Sequence, residues 1–76
     1  MQLIEIKISQ LNFGKHRPMY SVSERTDGSD WTIMDYGISI DSADQFADQI
    51  REGALDAGHS VRCFYEWTDG KRTYRH

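Results

Sequence analysis

Residues Ser42 to Gly58 read SADQFADQIREGALDAG, and this stretch decides the fold. Its apolar residues recur at intervals of three and four, which places them in one stripe along an α-helix. The stripe consists of Ala43, Phe46, Ala47, Ile50, Ala54 and Ala57. Asp41 or Ser42 is expected to cap the start of the helix, and Gly58 to end it in a left-handed conformation. Gly53 lies inside the helix despite its poor helix propensity, which predicts a close approach to a neighbouring sheet.

On both sides of this helix, apolar and polar residues alternate with the period of a β-strand. The alternating runs are residues 3–8, 19–25, 31–40, 61–67 and 72–75. The apolar residues of the third run that we expect to face the core are Met34, Tyr36, Ile38 and Ile40. Asp69 and Gly70 favour a two-residue hairpin turn, which would pair Trp67 with Arg72. The predicted fold is α+β, an antiparallel sheet of about five strands with one helix packed on one face, in the order β-β-β-α-β-β.

The length of 76 residues predicts a single domain, residues 1–76. The one cysteine, Cys63, excludes an intramolecular disulfide and fits a reducing compartment, and its place among alternating residues predicts a small buried side chain. Residues 1–8 carry charges where a signal peptide is apolar, and no apolar stretch approaches the roughly 20 residues of a membrane span. We therefore expect a cytoplasmic protein without membrane contact.

The sequence has no arrangement typical of an enzyme. Its three histidines, His16, His59 and His76, are far apart in the chain and lack the paired spacing of a zinc site. A Gly-x-Ser-x-Gly nucleophile elbow and a glycine-rich phosphate loop are both absent from the sequence. The prediction is a non-enzymatic protein with no catalytic residue, metal or cofactor.

The outer face of the predicted helix is acidic. Residues 41–58 contain five carboxylates and one arginine, although the whole chain has a net charge of only -3. We call the carboxylates the acidic ridge: Asp41, Asp44, Asp48, Glu52 and Asp56. Like charges four residues apart on a helix cost a few tenths of a kcal/mol per pair. One interpretation is a solvated face without function. The other is a ridge that docks on a basic partner protein, where charge complementarity speeds and orients association.

The sheet face turned away from the helix, which we call the open face, is the second candidate surface. Its candidate binding residues are Met19, Trp31, Ile33, Arg62 and Phe64, a more apolar set than solvent exposure requires. Three interpretations stay open. Trp31 or Phe64 folds back over the rim of the sheet, or the face binds a partner protein or a second copy in a homodimer. In the third interpretation, the face stacks single-stranded bases between Arg25, Arg62 and Arg75.

The segment from Asp35 to Phe46, a strand that runs directly into a capped acidic helix, resembles the small phage-encoded inhibitors, particularly those of the anti-CRISPR type. It is also similar to the strand–helix join of phage inhibitors of host RNA polymerase. Residues 37–40 resemble the single-stranded-DNA-binding transcriptional coactivator fold, which normally ends in its helix, whereas this chain continues beyond it. The first resemblance implies an inhibitor without catalytic residues that acts in the host cytoplasm.

The leading hypothesis from the sequence is a non-enzymatic protein-binding module. Its acidic ridge would occlude a basic nucleic-acid-binding surface of a host complex. The alternative is single-stranded nucleic-acid binding through the open face, which is disfavoured by the net negative charge of the chain.

Overall fold

The computed structural model describes residues 2–11 and 18–75. His16 and His76, two of the histidines considered for a metal site, lie outside the described residues. The elements are β1 (Leu3–Leu11), β2 (Met19–Thr26), β3 (Thr32–Ile38), α1 (Ile40–Asp56), β4 (Ser60–Glu66) and β5 (Arg72–Arg75). The α+β class and the element order agree with the prediction.

The five strands form one sheet in the order β3-β2-β1-β4-β5. The sheet is mixed, so the prediction of a purely antiparallel sheet was wrong: β1 pairs antiparallel with β2 but parallel with β4. The helix is the physical reason, because a strand–helix–strand crossover returns the chain to the end where it started. β4 therefore runs in the direction of β3. Since β1 has that direction too, β1 and β4 meet as parallel neighbours.

α1 packs on one face of this sheet through its small side chains. Ala43 and Ala47 are fully buried, and side chains of this size let the helix axis come close to the strands. The buried core cluster contains Ile4, Ile6, Ile8, Tyr20, Val22, Ala43, Ala47 and Cys63. The thiol of Cys63 is thus a core group, as predicted.

The helix begins earlier than the sequence predicts. Ser39 is the N-cap residue, in place of Asp41 or Ser42, and its Oγ accepts a hydrogen bond from the Ser42 N–H at 3.2 Å. Ile40 is consequently the first helical residue rather than the last residue of a strand. A side-chain oxygen two or three residues ahead of an unpaired N–H satisfies a donor that the helix itself cannot.

The helix end agrees with the prediction. Gly58 has φ +84°, and its N–H donates to the Leu55 carbonyl while the His59 N–H donates to the Ala54 carbonyl, both at 3.0 Å. This pair of bonds is the Schellman arrangement, which requires a left-handed residue at that position. The predicted close approach at Gly53 is wrong, because a Cβ at Gly53 would meet no atom within 4 Å.

Two bulges in β3 change the orientation of its side chains. Ile38 pairs with Tyr20 and Ile33 pairs with Ser23, so β3 contains two more residues than β2 over the same length. Gly37, at φ +73°, provides the left-handed conformation that one common type of bulge needs.

Of the four apolar residues in the run 31–40 that were expected to face the core, only two therefore do so. Ile38 and Ile40 pack on the core cluster, whereas Met34 and Tyr36 are 42% and 57% exposed. Each extra residue in a strand reverses the face on which the following side chains lie.

The hairpin between β4 and β5 has three loop residues rather than the predicted two. The Trp67 N–H donates to the Lys71 carbonyl at 2.9 Å, and the Gly70 N–H donates to the Trp67 carbonyl at 2.9 Å. Gly70 has φ +86°, as expected for the last residue of a three-residue loop.

This longer loop shifts the strand register by one residue. Phe64 pairs with Tyr74, and Glu66 pairs with Arg72, which the sequence paired with Trp67. A one-residue slip exchanges the two faces of a strand. The open face therefore receives Arg72 and Tyr74, and Arg75 lies on the side of the helix.

Candidate functional site

Two ridge carboxylates contact side chains of the sheet. The Tyr65 hydroxyl donates to Asp44 Oδ1 at 2.6 Å, and Arg75 Nη2 donates to Asp48 Oδ1 at 2.8 Å. Arg75 Nε also lies 3.9 Å from Asp44 Oδ1. Asp44 and Asp48 thus hold β4 and β5 against the helix, in addition to any role in binding.

These contacts affect the ionisation of the groups around them. Burial and the hydrogen bond to Asp44 raise the pKa of Tyr65 to about 12. Burial raises the pKa of the Cys63 thiol above its ordinary value, against the lowering effect of Arg75, whose Nη1 donates to Cys63 Sγ at 3.4 Å. A thiol with a raised pKa carries little of the reactive thiolate, so Cys63 has the character of a structural cysteine.

The other three ridge residues, Asp41, Glu52 and Asp56, are exposed. Within residues 2–11 and 18–75, none of their carboxylates forms an ion pair. Asp56 also lies in the last helical turn, which contains no basic residue. The negative end of the helix dipole disfavours a carboxylate there. The charge of Asp56 and its repulsion with Glu52, four residues away, thus weaken the helix, whereas Asp41 in the first turn is favoured by the dipole.

The strand register defines the residues of the open face. One row across the sheet contains Arg25, Glu5 and Arg62, and the next row contains Ile33, Ser23, Lys7, Phe64 and Tyr74. Trp31, Ile33 and Arg62 of the predicted set lie at this end of the sheet. Met19 lies at the opposite end of β2, about six residues or 20 Å from Arg25, so the structure does not bring it to the same patch.

Phe64 forms the base of this patch. Its side chain is 0% exposed. The Trp31 ring packs edge-on against it at 6.0 Å, the Tyr74 ring at 5.4 Å, and the Arg72 guanidinium at 4.6 Å from its ring centroid. Phe64 therefore supports the residues above it, and a partner on the open face would contact Trp31 and Tyr74 instead.

Trp31 is half-buried because its ring packs against Phe64 and lies close to two cations of the sheet. Lys7 Nζ and the Arg25 guanidinium carbon are each 4.4 Å from the centroid of its ring. Contacts of this length between a cation and an aromatic ring are attractive. They fix the indole and the two cations relative to one another.

The carboxylates of the open face are paired with arginines. Arg25 Nε donates to the buried Glu5 at 2.9 Å, and Arg62 Nη1 lies 4.0 Å from the second oxygen of Glu5. At the other end, Arg72 Nε donates to Glu66 at 3.3 Å. Among the described residues paired across this face, Lys7, Arg25, Arg62 and Arg72 stand against Glu5 and Glu66, so these positions are positively charged although the chain has a net charge of -3.

The sequence analysis did not assign Arg72 and Tyr74 to the open face, because the predicted register placed the other residues of β5 on that face. The signal was present in Thr68-Asp69-Gly70, since a glycine at the third loop position is typical of the three-residue hairpin. The same error hid the contact of Arg75 with the acidic ridge.

The described residues contain no group of three or more histidine, cysteine, aspartate or glutamate side chains placed to hold a metal ion. In the same part of the chain, no helix has the length and apolar character needed to cross a membrane. Compared with known proteins, the chain matches no family model, no curated protein and no solved structure.

Proposed function

We propose that the protein is a non-enzymatic binding module that docks its acidic ridge on a basic surface of a larger protein or complex. The observation that carries this proposal is the set of exposed carboxylates on α1 that form no ion pair within residues 2–11 and 18–75, namely Asp41, Glu52 and Asp56.

Asp41 lies in the first helical turn, where the helix dipole favours a carboxylate, whereas Glu52 and Asp56 form no ion pair with another described residue. The side of α1 that packs on the sheet consists of the buried alanines and of partly buried apolar residues such as Phe46 and Ile50, and the polar contacts with β4 and β5 use Asp44 and Asp48. Repulsion along the helix and the dipole at Asp56 both oppose helix formation. A basic partner surface would compensate these unfavourable terms, and the intermolecular field would accelerate encounter.

A narrower form of the proposal specifies the partner as a complex whose basic surface normally holds nucleic acid. Its support is the resemblance to phage-encoded inhibitors and the row of carboxylates, which offers such a surface the charge that a phosphate backbone would offer. In this form the protein acts by occlusion, so the partner cannot bind the protein and its nucleic acid at once.

The test uses a partner captured with the wild-type protein and then purified. Glu52→Gln with Asp56→Asn removes two ridge charges without touching the Asp48–Arg75 contact. The matched control is Glu24→Gln with Asp30→Asn, which changes the net charge equally at side chains that form no ion pair among the described residues.

Association rates are measured by surface plasmon resonance at low and at physiological salt. We expect the ridge variant to associate about tenfold more slowly at low salt and to show a weaker salt dependence, with a smaller change in dissociation. Equal association rates for the ridge variant and its control would show that the ridge does not contact the partner. For the narrower form, the partner's nucleic acid should compete with the wild-type protein.

A further inference from the structure

Charge is segregated between the two sides of this domain. The outward side of α1 carries the acidic ridge, whereas the open face carries Lys7, Arg25, Arg62 and Arg72 around two aromatic rings. The sheet lies between them. A ligand of the open face therefore meets a locally positive surface on a protein of net charge -3.

We propose that the open face binds single-stranded nucleic acid, with phosphates on these four cations and an unpaired base stacked on the exposed Tyr74 ring, beside the half-buried Trp31. This inference does not depend on the proposed function of the ridge. It replaces the arrangement expected from the sequence, in which Arg75 and the ring of Phe64 took part.

The cations are spaced for an extended chain of phosphates. They lie on four adjacent strands, β2, β1, β4 and β5, which cover about 14 Å at about 4.8 Å between neighbours. Two carboxylates lie among these four cations, so they offset only part of the positive charge, and each of them also orients an arginine. Glu5 holds Arg25, and Glu66 holds Arg72, so both guanidinium groups have fixed positions. The Lys7 ammonium lies 4.4 Å from the centroid of the Trp31 ring and forms no ion pair with another described residue.

The aromatic side chains form a supported platform. Tyr74 is 48% exposed, and its ring rests on the buried Phe64. Trp31 packs on the other side of Phe64. Aromatic rings presented in a positively charged groove are the usual means of binding single strands without regard to sequence, since every base has a face that can stack.

This interleaving of rings and cations favours nucleic acid over an acidic peptide. The carboxylates of an acidic peptide could pair with the cations, but they provide no flat ring to stack on the exposed Tyr74 ring. A nucleotide supplies both an anionic phosphate and a flat base. Paired bases in a duplex present their edges and not their faces, so a flat platform selects unpaired bases.

The test is a fluorescence titration with a short oligothymidylate. Trp67→Phe removes the second indole, which lies in the hairpin and donates to Thr73 Oγ1 at 2.9 Å, so that only Trp31 reports. We expect saturable quenching at low salt and an affinity that falls as salt rises.

Two open-face variants and one control locate the site. Lys7→Gln and Tyr74→Leu should each weaken binding about tenfold, and Lys7→Gln should reduce the slope of log affinity against log salt by about 0.7, the value for one phosphate contact on a single strand. Arg51→Gln removes a cation from the helix side and should leave the affinity and slope unchanged. Circular dichroism confirms that each variant is folded.

Three results would overturn the inference: no quenching at micromolar protein and low salt, equal affinity for a duplex of the same length, or displacement of the oligonucleotide by polyglutamate at equal charge concentration. The last result would identify an acidic protein segment as the occupant. The ridge variant Glu52→Gln with Asp56→Asn should bind the oligonucleotide at least as well as the wild type, so failure here and failure of the proposed function are distinguishable.

Discussion

Replacement of Gly53 by alanine should stabilise the domain. Gly53 lies in the C-terminal part of α1 and is exposed, without a left-handed backbone. A methyl group there meets no atom within 4 Å, so it introduces neither a clash nor a new contact. The change in stability is then the difference in helix propensity between glycine and alanine, about 0.8–1.0 kcal/mol in a helix interior.

The position of Gly53 in the helix reduces this magnitude. Gly53 is close to the end of α1, where fraying lowers the gain, so we expect about 0.5–1 kcal/mol. For a domain of this size, 1 kcal/mol corresponds to about 4–8 °C in Tm. The expected rise is therefore about 2–8 °C, measured by circular dichroism during heating and as an increased midpoint in urea.

Gly58→Ala is the matched control for this prediction. Gly58 has φ +84°, where an alanine side chain is strained, so the same chemical change should destabilise the protein by about 1 kcal/mol. Opposite signs at the two glycines follow only if Gly53 is an ordinary helical residue in open space. A Tm that is unchanged or lowered by Gly53→Ala would show that another group approaches the helix at that point.

Three further predictions follow from the packing around the open face and the ridge. Phe64→Ala should cost about 3–5 kcal/mol, a large part of the stability of so small a domain, and urea denaturation should show the variant largely unfolded, whereas Phe64→Leu should fold. Arg75→Gln should loosen β5, seen as faster amide hydrogen exchange in residues 72–75 with unchanged exchange in β1, because the contact with Asp48 is lost. Tyr65, whose folded pKa of about 12 exceeds the ordinary value of 10.0, contributes stability that is complete below pH 10 and lost as the pH rises towards 12. Tyr65→Phe should flatten this alkaline loss in a series of urea melts, and an equal loss in both proteins would contradict the assignment.

The elements themselves are predictable because each is specified by its own residues. Helix α1 follows from apolar spacing, and its end from Gly58, both of which act within a few residues. The start of the helix is harder, because Ile38 and Ile40 fit the period of a strand, while Ile40 and Ala43 fit the period of a helix. The hydrogen bond of Ser39 decides between these alternatives, and it exists only once the chain has turned.

The faces of the sheet are less predictable, since a side chain's face depends on a count of residues from a turn or a bulge. Two extra residues in β3 expose Met34 and Tyr36, and no composition signal marks the first of these bulges. The parallel pairing of β1 with β4 depends on tertiary packing, because pattern alone does not say which edge of the β1–β2 pair the strand after the helix will join.

The hairpin of β4 and β5 shows how one residue determines both candidate surfaces. With a two-residue loop, Arg75 would join the open face and leave Asp48 unpaired, while Tyr74 would lie on the helix side. The third loop residue, closed by Gly70 in the left-handed conformation, reverses this arrangement. This loop places Arg72 and the exposed Tyr74 on the open face, and it places Arg75 beside Asp48 of the acidic ridge. The acidic residues of the helix are thus specified by its own sequence. Whether Asp48 is paired with Arg75 or available to a partner depends on the hairpin turn, which begins twelve residues beyond the end of the helix.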